Sequence, residues 1–593
     1  MGHTIKDFLE IRSAFAINFS HDASKVLVSS NLSGTMQLYR APRAGGALTQ
    51  ITDLAEPVSG IYLPGRDELL VQMDEGGNER VQIYLLDDVG GDLRPVVHEP
   101  DHIHRVGAVT RDGATIGYAS NRRNGVDFDV YVHDLVSGDE QLVFDMGGWC
   151  GAAGFSPDGR WLAVQRLTER NSDNDVYLVE VRTGEVVHVT PHDDEASFGG
   201  PSWLPDGSAF FFSTDHEAEF SRICRYDMRA RTWEPVIERE WDLGCSIDWP
   251  GEQLLVSANE EGYARLSLFD PRTLAPIGEV PLPARGLTTG GTFSRDGRYL
   301  AYGFVSSVEQ GDAWVYDTVT RETTRLTTMP SDVARDELIE PELHRFASFD
   351  GEQIPAFVYR PRAPMSEPPP VIVYVHGGPE AQYTPGFNPV IQYLLYRGYA
   401  VVAPNVRGST GYGKRFHHLD DVYKRLDSVR DLEALRAWLP TAGLDQSRAA
   451  LFGGSYGGYM VLAGLAFQPQ LWAAGVDIVG ISSLVTFLEN TAPWRRKFRE
   501  REYGSLEHDR EFLESASPIT RIDDMRAPLL IIHGSNDPRV PLGEAEQIHA
   551  ALSAKDVECE LLVYPDEGHG LAKLKNRLDA YPKVAAFLDR VLS

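Results

Sequence analysis

A turn motif that recurs seven times limits the folds that the first half of this chain can adopt. The fullest copies are Phe-Ser-Pro-Asp-Gly at 155–159 and Trp-Leu-Pro-Asp-Gly at 203–207. Variant copies begin near residues 19, 62, 109, 249 and 293, and those near 62 and 249 are degenerate. The spacing of roughly 45 residues is that of the blades of a β-propeller.

Each copy also has the local pattern of several short strands. In the copy at 293–297, Asp and Gly supply a turn, and glycine tolerates the positive φ that such turns need. Alternating runs at 299–302 and 313–317 follow it. We predict an N-terminal extension of residues 1–15 and a seven-bladed β-propeller over residues 16–330. A β-sandwich with chance turn similarity is the alternative, and seven near-even spacings argue against it.

Composition restricts the class of protein. A chain of 593 residues is too long for one hydrophobic core, so a second domain is expected. The formal net charge of −30 argues against nonspecific binding of nucleic acid. Four scattered cysteines without a C-x-x-C pair indicate a reducing compartment. Since no signal-peptide pattern and no membrane-length apolar stretch is present, we expect a cytoplasmic protein without membrane partners.

The period is lost after residue 330, and a proline-rich loop lies at 361–370. Apolar runs then alternate with helix-length segments. The strand candidates are 371–375, 400–403, 449–452, 475–479, 528–532 and 559–563, and the helix candidates include 428–438 and 544–552. This alternation predicts a doubly wound α/β domain with a mostly parallel sheet over residues 331–593. Functional groups of such sheets gather at the C-terminal ends of the strands.

A candidate nucleophile lies at one of these strand ends. The apolar run 449–452 leads into Gly-Gly-Ser-Tyr-Gly-Gly at 453–458, and a helix-like run follows. Strand, Gly-x-Ser-x-Gly and helix together are the context of a nucleophile elbow. The glycines on both sides of the serine permit a tight turn without Cβ clashes. We therefore predict that Ser455 is a nucleophile; a glycine-rich loop without function is the alternative.

Asp537 and His569 each follow a later predicted strand. The order Ser, Asp, His at strand ends is that of an α/β-hydrolase triad. His569 would take the proton of Ser455, and Asp537 would hold the correct tautomer of His569. Asp566 competes as the acid, but it lies on the same loop as His569 and is poorly placed to orient it.

A second glycine-rich turn predicts the oxyanion hole. His-Gly-Gly-Pro at 376–379 follows the strand at 371–375, where α/β-hydrolases have a loop of this type. We assign the two oxyanion donors to the amides of Gly378 and Tyr456. One such donor is worth about 3 kcal/mol in the transition state. The alternative is an ordinary glycine turn.

These features resemble the prolyl oligopeptidase family of serine peptidases over nearly the whole chain. The motifs behind the resemblance are at 404–413, 453–460, 536–541 and 568–570. Within the family, the loop that begins with His376 is most similar to the acylaminoacyl-peptidase branch, whereas prolyl oligopeptidases proper have a tyrosine there. The resemblance implies a Ser-Asp-His peptidase that acts on short peptides through an acyl-enzyme.

The resemblance carries further expectations. It implies that the propeller excludes folded proteins, that the chain forms a homo-oligomer, and that no cofactor is needed. It also implies that Arg539 binds a carbonyl of the substrate peptide; pairing with a local acid is the alternative. His417-His418 and Asp420-Asp421 match no zinc motif, so no metal is expected.

The stretch 484–503 interrupts the alternation of strands and helices and is our candidate for substrate selection. Phe487, Trp494 and Phe498 either line an apolar substrate pocket or pack this stretch onto the core. The same stretch has the densest basic run of the chain, formed by Arg495, Arg496, Lys497, Arg499 and Arg501. This run is either a solvated helix face or the binding site of a substrate carboxylate.

Four alternatives stay open, and three of them are enzymatic. Family members that release dipeptides bind the substrate amine with a glutamate pair in the propeller, and Glu260-Glu261 is a candidate pair. An exopeptidase of the same family that recognises a C-terminal carboxylate is equally compatible. From another class, a carboxylesterase uses the same triad. A noncatalytic relic ranks last, because every catalytic residue type is present.

Overall fold

The structure is a computed structural model that describes residues 2–362 and 367–593. It confirms the predicted architecture, with a seven-bladed β-propeller followed by an α/β-hydrolase domain. Part of the predicted proline-rich loop, including Pro364, lies outside the described residues.

Each blade is an antiparallel sheet of four strands that are consecutive in the chain. Blade 1 consists of Ala14–Phe19, Lys25–Ser30, Gln37–Pro42 and Thr49–Gln50, and blade 2 of Ser59–Tyr62, Glu68–Met73, Gln82–Asp87 and Arg94–Val97. Blade 3 consists of His104–Val109, Thr115–Ser120, Asp129–Asp134 and Glu140–Phe144, and blade 4 of Cys150–Phe155, Trp161–Leu167, Asn174–Glu180 and Val186–His188. Blade 5 consists of Ser202–Trp203, Ala209–Thr214, Arg222–Asp227 and Thr232–Ile237. Blade 6 consists of Leu243–Ile247, Leu254–Glu260, Tyr263–Phe269 and Pro276–Glu279, and blade 7 of Leu287–Phe293, Tyr299–Ser306, Glu309–Asp317 and Thr323–Arg325.

The recurring motif closes the first hairpin of a blade. In blade 4, the hydroxyl of Ser156 donates to Asp158 Oδ1 at 2.6 Å and accepts from the amide of Trp161 at 2.8 Å. Gly159 ends the turn with a φ of 71°, which favours glycine. The hydroxyls of Ser20, Thr110 and Ser294 make the same hydrogen bond to the aspartate two residues later. The repeat is thus a side-chain-stabilised turn between buried strands.

The hydrolase domain is built on one eight-stranded sheet. Its strands are β1 Glu342–Ala347, β2 Gln353–Tyr359, β3 Pro370–Val375, β4 Ala400–Pro404, β5 Asp445–Gly454, β6 Ala474–Ile478, β7 Leu529–Gly534 and β8 Cys559–Tyr564. The spatial order is β1-β2-β4-β3-β5-β6-β7-β8. Neighbours from β4 to β8 pair in parallel, whereas β1 and β2 are antiparallel. The C-terminal ends of β5, β7 and β8 therefore lie on one edge.

Helices flank this sheet on both faces. They are α1 Ile5–Leu9, α2 Pro389–Tyr396, α3 Lys414–His417, α4 Arg425–Trp438, α5 Tyr456–Phe467, α6 Leu484–Asn490, α7 Pro493–Tyr503, α8 Arg510–Ser515, α9 Gly543–Ser553 and α10 Leu574–Leu592. Short 3-10 helices lie at Arg335–Glu337, His418–Asp420, Val422–Lys424, Leu439–Ala442 and Pro518–Arg521. In α5 every residue before Phe467 is buried, as expected of a helix that is apolar on all sides. No helix of the described ranges is long and apolar enough to cross a membrane.

The N-terminal extension packs on the hydrolase domain. The ring of Phe8 in α1 meets the ring of Tyr393 in α2 with centroids 5.6 Å apart. The first propeller strand begins at Ala14 and the last ends at Arg325, while β1 of the hydrolase domain begins at Glu342. The N-terminal extension therefore packs on the same domain as the C-terminal part of the chain, and the propeller lies between them in the sequence.

Candidate active site

Ser455 occupies a strained turn between β5 and α5. Its φ is 59°, a region that non-glycine residues rarely adopt, and its amide donates to the carbonyl of Ile478 at 2.8 Å. A Cβ on Gly453 would lie 2.4 Å from the carbonyl oxygen of Gly457. A Cβ on Gly457 would lie 2.2 Å from the carbonyl oxygen of Val375. Only glycine fits at these two positions, which is why the elbow needs its flanking glycines.

The structure brings the three predicted triad residues together. His569 Nε2 lies 2.8 Å from Ser455 Oγ, and His569 Nδ1 lies 2.6 Å from Asp537 Oδ2. The other carboxylate oxygen of Asp537 accepts from the amides of Arg539 and Val540 at 2.8 and 3.0 Å. A carboxylate fixed in this way keeps the proton of His569 on Nδ1, so Nε2 is free to accept the serine proton.

Asp566, the competing acid, is paired with side chains other than that of His569. Its carboxylate pairs with Lys575 at 2.7 Å and with Lys573 at 3.4 Å, and it accepts from Asn576 at 3.0 Å. The hydrogen bond from Lys575 is the main reason that the pKa of Asp566 falls to about 2. Asp566 therefore stabilises the start of α10 and does not contact His569.

His376 fixes the loop that we assign to the oxyanion hole. Burial lowers the pKa of His376 to about 4, so its ring is neutral. Its Nδ1 donates to the carbonyl of Gly377 at 2.7 Å, and its Nε2 lies 2.8 Å from the hydroxyl of Ser409, which also lies 2.6 Å from the carbonyl oxygen of Val406. The carbonyl of Gly377 and the amide of Gly378 belong to one peptide unit, so this hydrogen bond also aims the amide away from His376.

The two predicted oxyanion donors are unused within the part of the chain that the structure describes. Neither the amide of Gly378 nor that of Tyr456 donates to a described residue. A Cβ on Gly377 would lie 3.5 Å from Ser455 Cβ, so the loop passes directly beside the nucleophile. Free amides next to an activated serine are suited to a developing oxyanion.

Comparisons with known proteins agree with this geometry. The model of the prolyl oligopeptidase N-terminal beta-propeller domain matches residues 66–328, and the model of the prolyl oligopeptidase family matches residues 385–593. The chain belongs to the prolyl oligopeptidase family. It is accordingly a serine-type peptidase, as the sequence predicted.

Individual members of the prolyl oligopeptidase family are similar to the chain over different lengths. Dipeptidyl aminopeptidase BIII of Pseudoxanthomonas mexicana is 28% identical over 545 residues, which cover 89% of this chain and 79% of that protein. Dipeptidyl peptidase family member 6 of Caenorhabditis elegans is 40% identical over 232 residues, 38% of this chain and 31% of its own length. A solved Mycobacterium tuberculosis puromycin-hydrolyzing peptidase superposes with a TM-score of 0.85 over 100% of this chain and 96% of its own, at 20% identity. That likeness shows a shared fold.

Arg539, which family resemblance assigns to a substrate carbonyl, pairs with an acid of the propeller. Its Nε donates to Glu79 Oε1, and its side chain is 43% exposed. Glu79 precedes blade 2's third strand and lies 3.9 Å from Arg105. Sequence analysis missed Glu79, because it is 460 positions away in the chain. Arg539 thus lies at the domain boundary, in the loop that begins with Asp537.

The three predicted pocket aromatics lie in two environments. Phe487 is 2% exposed and packs against Tyr503 in the hydrolase core, with ring centroids 5.7 Å apart. Trp494 and Phe498, in contrast, face the propeller, where their centroids lie 5.3 and 5.8 Å from that of Trp149. Trp494 and Phe498 line a cleft of about 780 Å³ between the domains. Their contact with substrate stays a prediction.

The predicted amine-binding pair Glu260-Glu261 is engaged in ion pairs. Glu261 pairs with Arg345 of β1 at 2.5 Å, and Glu260 lies 3.4 Å from Arg265 on the neighbouring strand. The pair of Glu261 joins blade 6 to the hydrolase sheet, whereas the pair of Glu260 lies within blade 6. A free substrate amine would have to compete with both arginines, so this pair is a poor candidate for amine binding.

Three carboxylates near Tyr456 surround an arginine. Asp420, Asp421 and Glu502 lie close enough together to suggest a metal site. The buried guanidinium of Arg425 pairs with Asp420 and Glu502, and its Nη1 lies 3.3 Å from the hydroxyl of Tyr456. Arg425 therefore supplies the positive charge that a metal ion would otherwise bring to these carboxylates.

This cluster leads to a stability prediction. Arg425→Met is expected to destabilise the hydrolase domain by about 3–5 kcal/mol, because two buried carboxylates lose their counter-charge. The matched change Arg430→Met, on the exposed side of the same helix, is expected to cost at most about 1 kcal/mol. Urea unfolding at pH 7 measures both. Burial raises the pKa of Asp420 well above its ordinary value and also raises that of Glu502. The cost of Arg425→Met should therefore shrink as the pH falls from 7 and both carboxylates become protonated, and a cost that does not depend on pH would contradict this explanation.

Proposed function

We propose that the chain hydrolyses short peptides through an acyl-enzyme on Ser455. His569 accepts the serine proton and returns it to the leaving amine, while Asp537 stabilises the imidazolium. The amides of Gly378 and Tyr456 hold the oxyanion. The support is the hydrogen-bonded series from Ser455 through His569 to Asp537 beside two unused amides.

Restriction to short peptides is supported by the propeller loop 74–79, which lies on the catalytic loops. The side chain of Asn536 donates to the carbonyl of Gly76 at 3.0 Å. A Cβ on Gly77 would lie 2.6 Å from the amide of Gly568, the residue before the catalytic histidine. A substrate must therefore pass between the domains, and a folded protein is too bulky to do so.

We propose further that the released fragment is a dipeptide with a free N-terminus. Two relatives that are similar to the chain have names that describe dipeptidyl peptidases. A dipeptidyl enzyme needs a carboxylate for the substrate amine close to the group that binds the substrate carbonyl. Glu79 is placed for this role: its Oε1 pairs with Arg539, whereas its Oε2 is buried without a hydrogen-bond partner among the described residues. The acylaminoacyl activity, suggested by resemblance of the His376 loop, is the second candidate.

A peptide series tests the end specificity. Peptides with an apolar residue before the cut bond are compared as free-amine, N-acetylated and C-amidated forms. We expect the free-amine form to be preferred, and we expect Glu79→Gln to lower kcat/KM on it about 10-fold or more, because a charge-assisted hydrogen bond is lost. Glu75→Gln, an exposed change in the same loop, is the control.

The other outcomes of this series are equally informative. Preference for the acetylated form, with no selective effect of Glu79→Gln, would replace dipeptide release by the acylaminoacyl activity. Hydrolysis of short esters without any cleavage of the matched amides would favour a carboxylesterase. An N-terminal preference that is the same in Glu79→Gln as in the unaltered enzyme would remove Glu79 from the proposal.

Location and assembly belong to the same proposal. All four cysteines are unpaired, and Cys150 and Cys224 are buried, which suits a reducing compartment such as the cytoplasm. A homo-oligomer is supported by family resemblance, and light scattering of the purified chain measures it.

A further inference from the structure

Four arginines meet where the propeller faces the catalytic loops. Arg105 comes from blade 3, Arg495 and Arg499 from α7, and Arg539 from the loop after β7. The charges that act most strongly on Arg495 are those of Arg499, Arg539, Glu79 and Asp537. We call the space between these four arginines the arginine cleft.

The arginine cleft is next to the triad. The hydroxyl of Thr491 donates to the carbonyl of Arg539 at 2.7 Å, and the amide of Ala492 donates to the carbonyl of Pro538 at 3.1 Å. The start of α7 is thus bound to the loop that begins with Asp537. Arg495 follows within the first turn of α7, where its amide donates to Ala492 at 2.8 Å.

Three of these arginines have a carboxylate partner and one does not; Arg105 lies 3.9 Å from Glu79. Arg539 pairs with Glu79, and Arg499 pairs with Glu380 at 3.1 Å. Arg495 makes no side-chain hydrogen bond or ion pair within residues 2–362 and 367–593, and its Nε is buried without a partner. A guanidinium removed from water needs an anion or acceptors to offset the lost hydration.

The remaining acids around the cleft are already engaged. Asp537 is bonded to His569 and to two backbone amides, and Asp74 accepts from the amide of Glu79 at 2.7 Å. Burial, followed by the charge of Arg499, lowers the pKa of Arg495 to about 9, so it is still cationic at pH 7. Arg495 is therefore a cation without a carboxylate partner among the described residues, in a chain whose net charge is −30.

We propose that Arg495 binds a carboxylate of the substrate peptide and makes the arginine cleft a subsite for anionic peptides. This inference rests on the proposed peptidase function and names its substrate class. A guanidinium binds a carboxylate through two parallel hydrogen bonds, which fixes the peptide beside the triad. The carboxylate is either an acidic side chain before the cut bond or the free C-terminus of the peptide.

Paired peptides identify the carboxylate. One pair has Glu or Gln at the second position before the cut bond, and the other pair has a free or an amidated C-terminus. We expect the unaltered enzyme to prefer the carboxylate member of one pair. Arg495→Gln is expected to lower kcat/KM on that member by about 10- to 100-fold, as for loss of a charged hydrogen bond. Its effect on the neutral member should stay within about 3-fold, or about 0.7 kcal/mol.

Two variants separate binding from a structural effect. Arg495→Lys keeps the charge and is expected to restore part of the preference. Arg510→Gln removes an arginine that is 51% exposed on α8 and paired with Glu489, and should leave the preference unchanged. Equal losses on both members of both pairs, or no carboxylate preference in the unaltered enzyme, would overturn the proposal.

A binding measurement keeps this test separate from the proposed catalysis. In a Ser455→Ala background, calorimetry compares the Kd values of the paired peptides with and without Arg495→Gln. We expect the carboxylate peptide to bind about 10-fold or more tightly only when Arg495 is present, with weaker discrimination at high salt. Identical Kd values for both members would contradict the subsite even in an active peptidase. If Ser455→Ala discriminated between the paired peptides but the unaltered enzyme cleaved neither of them, the subsite would be retained and the peptidase function rejected.

Discussion

Ser455→Ala is expected to lower kcat for peptide hydrolysis by about 10⁶-fold, because no acyl-enzyme forms without the hydroxyl. Binding and the oxyanion donors would still supply a residual acceleration of about 10³- to 10⁴-fold over water. The fold should be unaffected, because alanine has the same Cβ as serine and is strained to the same extent at a φ of 59°. Single-turnover hydrolysis and labelling by a fluorophosphonate probe both measure this result.

Ser535→Ala is the matched control for that experiment. Ser535 is exposed on the loop after β7, two positions before Asp537, so activity and labelling should stay within about 3-fold, or about 0.7 kcal/mol. Amide and ester substrates should lose activity together in Ser455→Ala. Labelling or peptide turnover that survives Ser455→Ala at the unaltered level would show that another residue is the nucleophile. Absence of labelling in the unaltered enzyme would revive the noncatalytic alternative.

The sequence predicted the parts of the fold that depend on local chemistry. The propeller period was visible because each blade repeats a turn in which Ser or Thr bonds to Asp, as in Ser156 and Asp158. The helix predicted at 428–438 is Arg425–Trp438 in the structure, and the strand predicted at 449–452 is Asp445–Gly454. Helix and strand types were correct, whereas their ends depend on hydrogen bonds that a single sequence does not show.

Features that depend on distant contacts were not predictable in the same way. The pairing of Arg539 with Glu79 joins residues 460 positions apart, and nothing near Glu79 marks it as an active-site neighbour. Asp477 looks like an ordinary strand residue, yet burial without a side-chain partner raises its pKa to about 7. The glutamate pair at 260–261 looked available in sequence and is occupied by Arg345 and Arg265. Which charged residues form ion pairs across the domain boundary depends on how the two domains pack together.

Asp537→Asn is expected to lower kcat by about 10⁴-fold while the triad geometry stays intact. The amides of Arg539 and Val540 would continue to bond to the remaining carbonyl oxygen of the side chain. The new amide group would then face His569 Nδ1 as a donor, so that Nδ1 must accept and the ring proton moves to Nε2. With Nε2 protonated, His569 has no lone pair for the proton of Ser455. The loss should therefore appear in kcat, with little change in the Kd of the peptide.

Asp566→Asn separates this tautomer effect from a general effect of charge. Asp566 is an acid on the loop of His569 itself, but its partners are Lys573, Lys575 and Asn576. We expect its replacement to change kcat by less than about 3-fold, or about 0.7 kcal/mol. If Asp566→Asn caused the large loss and Asp537→Asn the small one, the acid of the triad would be misassigned. If both caused it, the charge around His569 would matter more than its tautomer, and the hydrogen bond from Nδ1 to Asp537 would not explain catalysis.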